Sequence, residues 1–318
     1  SLGWAKVYFS KGEADSVIFR ARQSLSVLEE ERYGKLRAQA LSALGAGYYR
    51  KGDYDSALIY WERAVSLRRS IGDDRGLAAS YNNIGNIYQA QGRYAEALEY
   101  YQKSLRIREA LGDKAGLAGL YNNIGGIYFS QGRYAEALEY FQKALRIQEA
   151  LGDKAGLAGL YNNIGGIYFY QGRYAEALEY FQKALRIREA LGDKAGLAGL
   201  YNNIGAIYHD QGRYAEALEY YRKAIQIREA LGDKYGLTFS YADAGDLYFL
   251  QGQPYTGRPY LLRALVLARE LNAYDRLQEI YLFLSRTDSA LAASGQPAYC
   301  KTAYEYARLH SIYKDSVV

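Results

Sequence analysis

The sequence is poor in the residues that build cross-links and membrane anchors. Its 318 residues include one cysteine, three prolines and no methionine. The single thiol, Cys300, cannot form a disulfide within the chain. This slightly favours a reducing, cytoplasmic compartment, although a periplasmic helical domain without disulfides is also compatible with it. No apolar run approaches the roughly 18 residues that a membrane helix needs, so we expect no membrane span in this chain.

Neither sign of charge dominates. The net charge is +5, charged residues make up 24% of the chain, and Lys and Arg alternate with Glu within the same segments. A nucleic-acid-binding surface requires basic residues that cluster on one face. We therefore expect no nucleic-acid partner.

Side chains suited to catalysis or metal binding are also scarce. The two histidines, His209 and His310, lie far apart, and neither has a Cys or His neighbour at the spacing of a metal site. Cys300 has no identifiable base to activate it. The many glycines do not form a strand–loop–helix motif for phosphate. We therefore predict that the chain is not an enzyme and needs neither a metal nor a cofactor.

The abundant feature is repetition. The segment YNNIGGIYFSQGRYAEALEYFQKAL recurs with a period of 40 residues, and residues 115–154 and 155–194 differ only at Ser130/Tyr170 and Gln148/Arg188. A repeat of this length predicts an array of stacked units. The chain begins at Ser1 within this pattern, which predicts a fragment or a processed product. Tandem expansion or consensus design could give such a uniform centre, and the irregular flanks favour a natural protein.

Each unit is predicted to be a pair of helices. In residues 115–154, apolar residues lie three and four positions apart. The first helix ends near Gly132, which suits a left-handed helix end, and the second begins near Tyr134. A small residue such as Gly125 permits close helix approach, and a large one such as Phe141 fills the space. The fold class is therefore all-α.

Large, small and aromatic residues recur in a fixed order in this unit: Tyr121, Ile124-Gly125, Tyr128, Ala137, Phe141 and Ala144. In this order they resemble the tetratricopeptide repeat (TPR). The unit departs from that pattern at Glu149, where proline is frequent, and in its longer period. It is similar to repeats of kinesin light chains, of cell-polarity adaptors and of bacterial sensor kinases. The resemblance implies a right-handed superhelical solenoid, with first helices lining a concave groove.

The 40-residue step predicts one solenoid over residues 1–318, with about eight helical hairpins. The approximate units are 1–34 (truncated), 35–74, 75–114, 115–154, 155–194, 195–234, 235–274 and 275–318. In the divergent last unit, Ser285 takes the glycine position and Asp288 the tyrosine position. Pro254 suits a helix start, whereas Pro259 predicts a later start or a kink.

By the same resemblance, paired asparagines on the first helices are the candidate partner-binding residues. The pairs are Asn82-Asn83, Asn122-Asn123, Asn162-Asn163 and Asn202-Asn203. An amide both donates and accepts hydrogen bonds, so it can bind an extended peptide backbone. The favoured members are the second of each pair: Asn83, Asn123, Asn163 and Asn203. Alternatively, the amides bond helix carbonyls between repeats, and both roles can coexist.

Glycines and variable positions beside the amides complete the candidate site. Gly119 and Gly126, with their counterparts in later units, form a strip that either admits a partner backbone or relieves crowding between first helices. Positions late in the first helices differ among copies, which fits either adaptation to an asymmetric partner or neutral drift. These candidates are Gly126, Phe129, Ser130, Phe169, Tyr170, His209 and Asp210.

The sequence thus predicts a protein-interaction scaffold that binds a peptide or a helix. Two alternatives stay open. The closing AYEYARLHSIYKDSVV resembles the last repeat of sensor regions in bacterial histidine kinases, which would make the chain an input module of a signalling protein. The array could also self-associate through its ends or its exposed tyrosines.

Overall fold

A computed structural model describes residues 11–27 and 33–316, and most of these are α-helical. Fifteen helices occur in these residues, without any strand among them, so the predicted all-α class is confirmed. The truncated unit 1–34 lies partly outside the described residues. The chain divides into two compact units, Ser1–Ile167 and Tyr168–Val318.

The division between the two units falls inside a helix, and the helices up to and including that one are given first. Their bounds are α1 Lys11–Val27, α2 Gly34–Lys51, α3 Tyr54–Ser70, α4 Asp74–Ala90, α5 Tyr94–Leu111, α6 Lys114–Ser130, α7 Tyr134–Leu151 and α8 Lys154–Tyr170. The pairs α2–α3, α4–α5 and α6–α7 are the hairpins, and α3–α4 and α5–α6 join one hairpin to the next. Even-numbered helices are therefore the first helices of the repeat.

The second unit repeats this arrangement. Its helices are α9 Tyr174–Leu191, α10 Lys194–Asp210, α11 Tyr214–Leu231, α12 Lys234–Leu250, α13 Pro254–Glu270, α14 Tyr274–Ala293 and α15 Ala298–Ser316. The hairpins are α10–α11, α12–α13 and α14–α15, and the first helices α10, α12 and α14 contact their neighbours in order.

The helix boundaries follow from capping residues. Asp113 accepts a hydrogen bond from the Gly116 backbone N–H at 3.1 Å and so caps the start of α6. Beyond the other end of α6, Gly132 has a φ of 72°, which a residue with a side chain rarely adopts. The predicted break at Gly132 and the predicted helix start at Tyr134 are confirmed.

In α2, α4, α6 and α10, a glycine lets the large ring of the second helix pack against the backbone of the first. Phe141 is 2% exposed, and a Cβ added to Gly125 would lie 2.7 Å from its ring. The same geometry recurs in Gly45 with Trp61, Gly85 with Tyr101 and Gly205 with Tyr221. Side-chain volume at this position is therefore excluded by the ring, as the alternation of small and large residues predicts.

The divergent last hairpin replaces an aromatic contact with a polar network. Asp288 is completely buried, accepts a hydrogen bond from Arg258 Nε at 2.6 Å and accepts another from Thr302 Oγ1 at 2.6 Å. The Ser285 hydroxyl donates to the Ala303 carbonyl at 3.2 Å. A buried carboxylate needs such partners because desolvation penalises an unpaired charge.

The prediction of a later helix start at Pro259 is wrong. Helix α13 begins at Pro254 and retains Pro259 in its interior. Pro254 occupies the first turn, where the missing N–H is not needed. Pro259 removes the hydrogen bond that its own N–H would make and crowds the carbonyl four residues earlier, yet the helix continues through it.

Alanine should have opposite effects at two glycines of α6. A Cβ at Gly119 would meet no other atom within 4 Å, so Gly119→Ala should stabilise the fold by up to about 1 kcal/mol through helix propensity. Gly125→Ala should destabilise it, because the Phe141 ring must move. Urea titrations followed by circular dichroism would measure both midpoints. A lower midpoint for Gly119→Ala would contradict the open surroundings of this position.

Candidate functional site

The candidate asparagines lie on the first helices and are all partly buried. In the first unit, Asn123 Nδ2 donates to Asn82 Oδ1 at 3.1 Å and to Asn86 Oδ1 at 3.3 Å. In the next repeat, Asn163 Nδ2 donates to Asn122 Oδ1 at 2.9 Å. The second asparagine of one repeat therefore bonds the first asparagine of the preceding repeat. We call this series of side-chain bonds the amide ladder.

Each asparagine of the amide ladder uses one end of its side-chain amide, either Nδ2 or Oδ1, and the other end is available to a ligand. Within the described part of the chain, Asn82 and Asn122 use Oδ1 in the ladder and make no hydrogen bond through Nδ2. Asn123 and Asn163 use Nδ2 and accept no hydrogen bond at Oδ1. None of these atoms is among the buried polar atoms without a partner. Donors on α4 and α6 and acceptors on α6 and α8 thus lie on an accessible surface, and a polypeptide backbone offers partners to both.

The second unit reverses the direction of donation. Asn202 Nδ2 donates to Asp243 Oδ2 at 2.8 Å, and Asn202 Oδ1 accepts from Ser240 Oγ at 2.7 Å. Asp243 occupies the position that Asn203 has one repeat earlier, and a carboxylate can only accept. Asn162 and Asn203 also have interaction partners. Asn83 lies on the same helix as Asn82 and is partly buried.

Asp243 begins a charged cluster that the sequence analysis did not single out. Burial is the main cause that raises the pKa of Asp243 to about 7, Glu279 adds to this effect, and Arg276 and Arg228 oppose it. Burial also raises the pKa of Asp246. In the sequence, this cluster is indicated only by the change from Asn203 to Asp243 between consecutive repeats. Helix α12 of the second unit therefore carries ionisable carboxyl groups, whereas the amide ladder of the first unit consists of neutral amides.

The variable positions fall into two groups. The aromatic members contact the first residue of the following helix: Phe129 with Tyr134, Phe169 with Tyr174 and His209 with Tyr214, at ring-centre distances of 5.9, 6.0 and 6.0 Å. These side chains help to hold their own hairpins together. This packing accounts for the three side chains without any contact to a partner.

The next position along each helix is exposed. The Ser130 hydroxyl donates to the carbonyl of the buried Gly126, Tyr170 is 41% exposed, and Asp210 lies 3.3 Å from His209 Nδ1. Exposure and variation coincide at Ser130, Tyr170 and Asp210. These three are the variable residues that a partner can reach most readily.

Crowding does not explain Gly119 and its counterparts, whereas Gly126 is buried. A Cβ at Gly119, Gly159 or Gly199 would meet no other atom within 4 Å. Each of these glycines nevertheless lowers helix stability by roughly 1 kcal/mol relative to alanine. Gly119 and Gly159 therefore provide open space on the same first helices that carry the amide ladder.

The described residues contain few features of other functional classes. Residues 11–27 and 33–316 hold no group of three His, Cys, Asp or Glu side chains that could bind a metal ion. Across the same residues, no helix is both long and apolar enough to cross a bilayer. His310 Nδ1 lies 2.9 Å from the Gln278 carbonyl, and Cys300 is exposed.

Comparison with protein families gives a match over more than half of the chain. The model of the tetratricopeptide repeat matches residues 36–110, 116–190 and 196–254. No curated protein sequence matches significantly.

Two solved structures have a similar fold. BtubC (BKLC) from P. vanneervenii has a TM-score of 0.58 and 25% identity, over 70% of this chain and 91% of that one. The crystal structure of the APC/C hetero-tetramer Cut9–Hcn1 has a TM-score of 0.60 and 16% identity, over 81% of this chain and 44% of that one. At that identity the second likeness concerns the fold alone.

The raised pKa of Asp243 predicts a pH-dependent stability. The folded state keeps a proton that the unfolded chain releases, so this carboxyl lowers stability as pH rises from about 4 to about 7. Asp243→Asn should remove this contribution, and its advantage over the wild type should grow across that window and then level off. Thermal unfolding at a series of pH values would measure the difference. Asp275→Asn, at an exposed residue of α14, is the control, and equal pH profiles for both variants would contradict the prediction.

Proposed function

Because the chain belongs to the tetratricopeptide repeat family, we propose that it is a scaffold whose first helices bind an extended peptide segment of a protein partner. Repeats of this family generally serve as scaffolds for protein–protein interaction, and the family fold is typically non-catalytic. The observation that carries the finer proposal is the set of accessible amide ends along α4, α6 and α8.

Backbone chemistry favours an extended peptide over a helix as the ligand. A helix has already paired most of its N–H and C=O groups, whereas an extended segment presents both along its length. Asn82 and Asn122 offer N–H donors, and Asn123 and Asn163 offer carbonyl acceptors. Such bonds contribute about 1 kcal/mol each and do not depend on the ligand's side chains.

Open space next to the amides supports close approach of a ligand backbone. Gly119 and Gly159 lie on α6 and α8, and neither has an atom near the place of its missing Cβ. The exposed residues Ser130 and Tyr170 lie at the ends of these same helices. We infer that the amides supply affinity and that these two positions supply side-chain selectivity.

One substitution separates ligand binding from the amide ladder. Asn122→Asp keeps the Oδ1 acceptor that Asn163 needs but replaces the available Nδ2 donor with an acceptor. The probe is a peptide selected on the wild-type protein from a random display library. We expect its affinity to fall about tenfold, because a ligand carbonyl loses its donor at a cost of about 1–3 kcal/mol. Fluorescence anisotropy would measure the dissociation constant.

The matched control adds the same charge elsewhere. Gln102→Glu alters an exposed residue on the second helix α5 and should leave the affinity unchanged. Peptides with N-methylated backbone amides should bind the wild type more weakly, since methylation removes N–H donors. Unchanged binding of the peptide to a folded Asn122→Asp variant would refute the assignment to the first helices.

A further inference from the structure

An arginine near the end of most second helices clamps the start of the next first helix. Arg108 Nη1 donates to Asp113 Oδ2 at 2.8 Å, and Arg188 Nη1 donates to Asp193 Oδ2 at 3.0 Å. Both aspartates cap the following helix. The guanidinium therefore links the last turn of one hairpin to the first turn of the next, and we call this contact the arginine clamp.

The outer clamps bind the next helix more extensively. Arg68 Nη1 donates to the Gly76 carbonyl at 2.7 Å and to Ser80 Oγ at 2.6 Å. Arg228 Nη1 makes the same two bonds, both of 2.6 Å, to Gly236 and Ser240. Arg68 is buried, and the Arg228 side chain is 11% exposed. Charge-assisted hydrogen bonds that are shielded from water are the stronger kind.

A glycine of the next helix makes room for each guanidinium. A Cβ at Gly116 would overlap Arg108, and a Cβ at Gly196 would overlap Arg188. Gly156 is the equivalent glycine in α8, but the side chain beside it is Gln148 instead of an arginine. The seam between α7 and α8 thus has the capping aspartate and the glycine of a clamp, without the arginine.

The missing arginine leaves an uncompensated polar group. Asp153 still caps α8 by accepting from the Gly156 N–H at 3.0 Å. Gln148 Oε1 is buried and has no hydrogen-bond partner. Arg188 Nε is also buried without a partner, but Arg188 still bonds Asp193 through Nη1, whereas Gln148 makes no bond to Asp153 among the described residues. Removing one partner of a buried polar contact is costly, whereas replacing both by apolar groups is nearly neutral. The seam between α13 and α14 illustrates the second case, with Ala268 and Ala273 both buried there.

We propose that the α7–α8 seam is a soft joint built into the array by Gln148. Local opening of a structure is easiest where buried contacts are incomplete. The Asn163–Asn122 bond of the amide ladder connects α8 with α6 across the two sides of this seam. The joint is therefore the place where the spacing of neighbouring first helices can adjust. It does not depend on the proposed peptide binding.

Three segments of identical sequence allow the seams of the array to be compared within one protein. Residues 113–120, 153–160 and 193–200 all read DKAGLAGL, so their backbone amides have the same intrinsic exchange chemistry. The helices α6, α8 and α10 also begin at equivalent lysines. A difference in hydrogen exchange among these segments therefore reports the seam.

Hydrogen exchange of the full chain, read by mass spectrometry, tests the proposal. In the wild type, peptides that begin at residues 104, 144 and 184 differ in mass and report the three seams separately. In the wild type, amides at 154–158 should exchange at least about fivefold faster than those at 114–118 and 194–198. Gln148→Arg should remove the difference, and Arg188→Gln should transfer fast exchange to 194–198. In either variant the peptides from residues 144 and 184 begin with the same sequence, so peptides that extend past Gly166 and its counterpart Ala206 are compared there.

Ser130→Tyr is the matched control. Residues 115–154 and 155–194 differ only at this position and at Gln148/Arg188, so the control changes the other difference between the two repeats. It should leave exchange at 154–158 fast. Equal exchange in all three segments of the wild type would overturn the proposal, as would fast exchange at 154–158 that persists in a folded Gln148→Arg variant.

Discussion

The structure depends on the close approach of two helices at a glycine. At Gly125 the first helix presents bare backbone, and the Phe141 ring of the second helix packs directly against it. The contact fixes how the helices of a hairpin pack, and its repetition gives successive hairpins a common form. First helices of neighbouring repeats then lie near enough for Asn163 to reach Asn122, 41 residues earlier in the chain.

Local features of the fold could be predicted from the sequence, because they rest on local chemistry. Gly132 ends α6 in a left-handed conformation, and Tyr134 starts α7, as the repeat pattern indicated. The later helix start expected at Pro259 does not occur, because the helix tolerates the loss of the hydrogen bond that a proline cannot make. The partners of the asparagines could not be predicted, because an amide can bond a carbonyl, another amide or a ligand. Asp243 was overlooked because one acidic residue in an asparagine position resembles drift.

Neighbouring residues of the repeat have different structural roles. Glycine–ring contacts and arginine clamps hold the helices together, and the asparagines both join the repeats and keep one polar end accessible. Open glycines such as Gly119 lower helix stability where nothing nearby requires them. Small changes among near-identical copies therefore have separable effects: Gln148 alters a seam, Asp243 places an ionisable group within a first helix, and Tyr170 alters what a partner meets.

The central claim is that the amide ladder presents the Nδ2 groups of Asn82 and Asn122 to a peptide backbone. Nuclear magnetic resonance of selectively ¹⁵N-asparagine-labelled protein observes these side-chain groups directly. In the free protein, Asn163 Nδ2 should exchange slowly and Asn122 Nδ2 should exchange fast, because only the former is bonded. Addition of a library-selected peptide should shift and protect the Asn82 and Asn122 signals. Saturating peptide that leaves both signals unchanged would contradict the account.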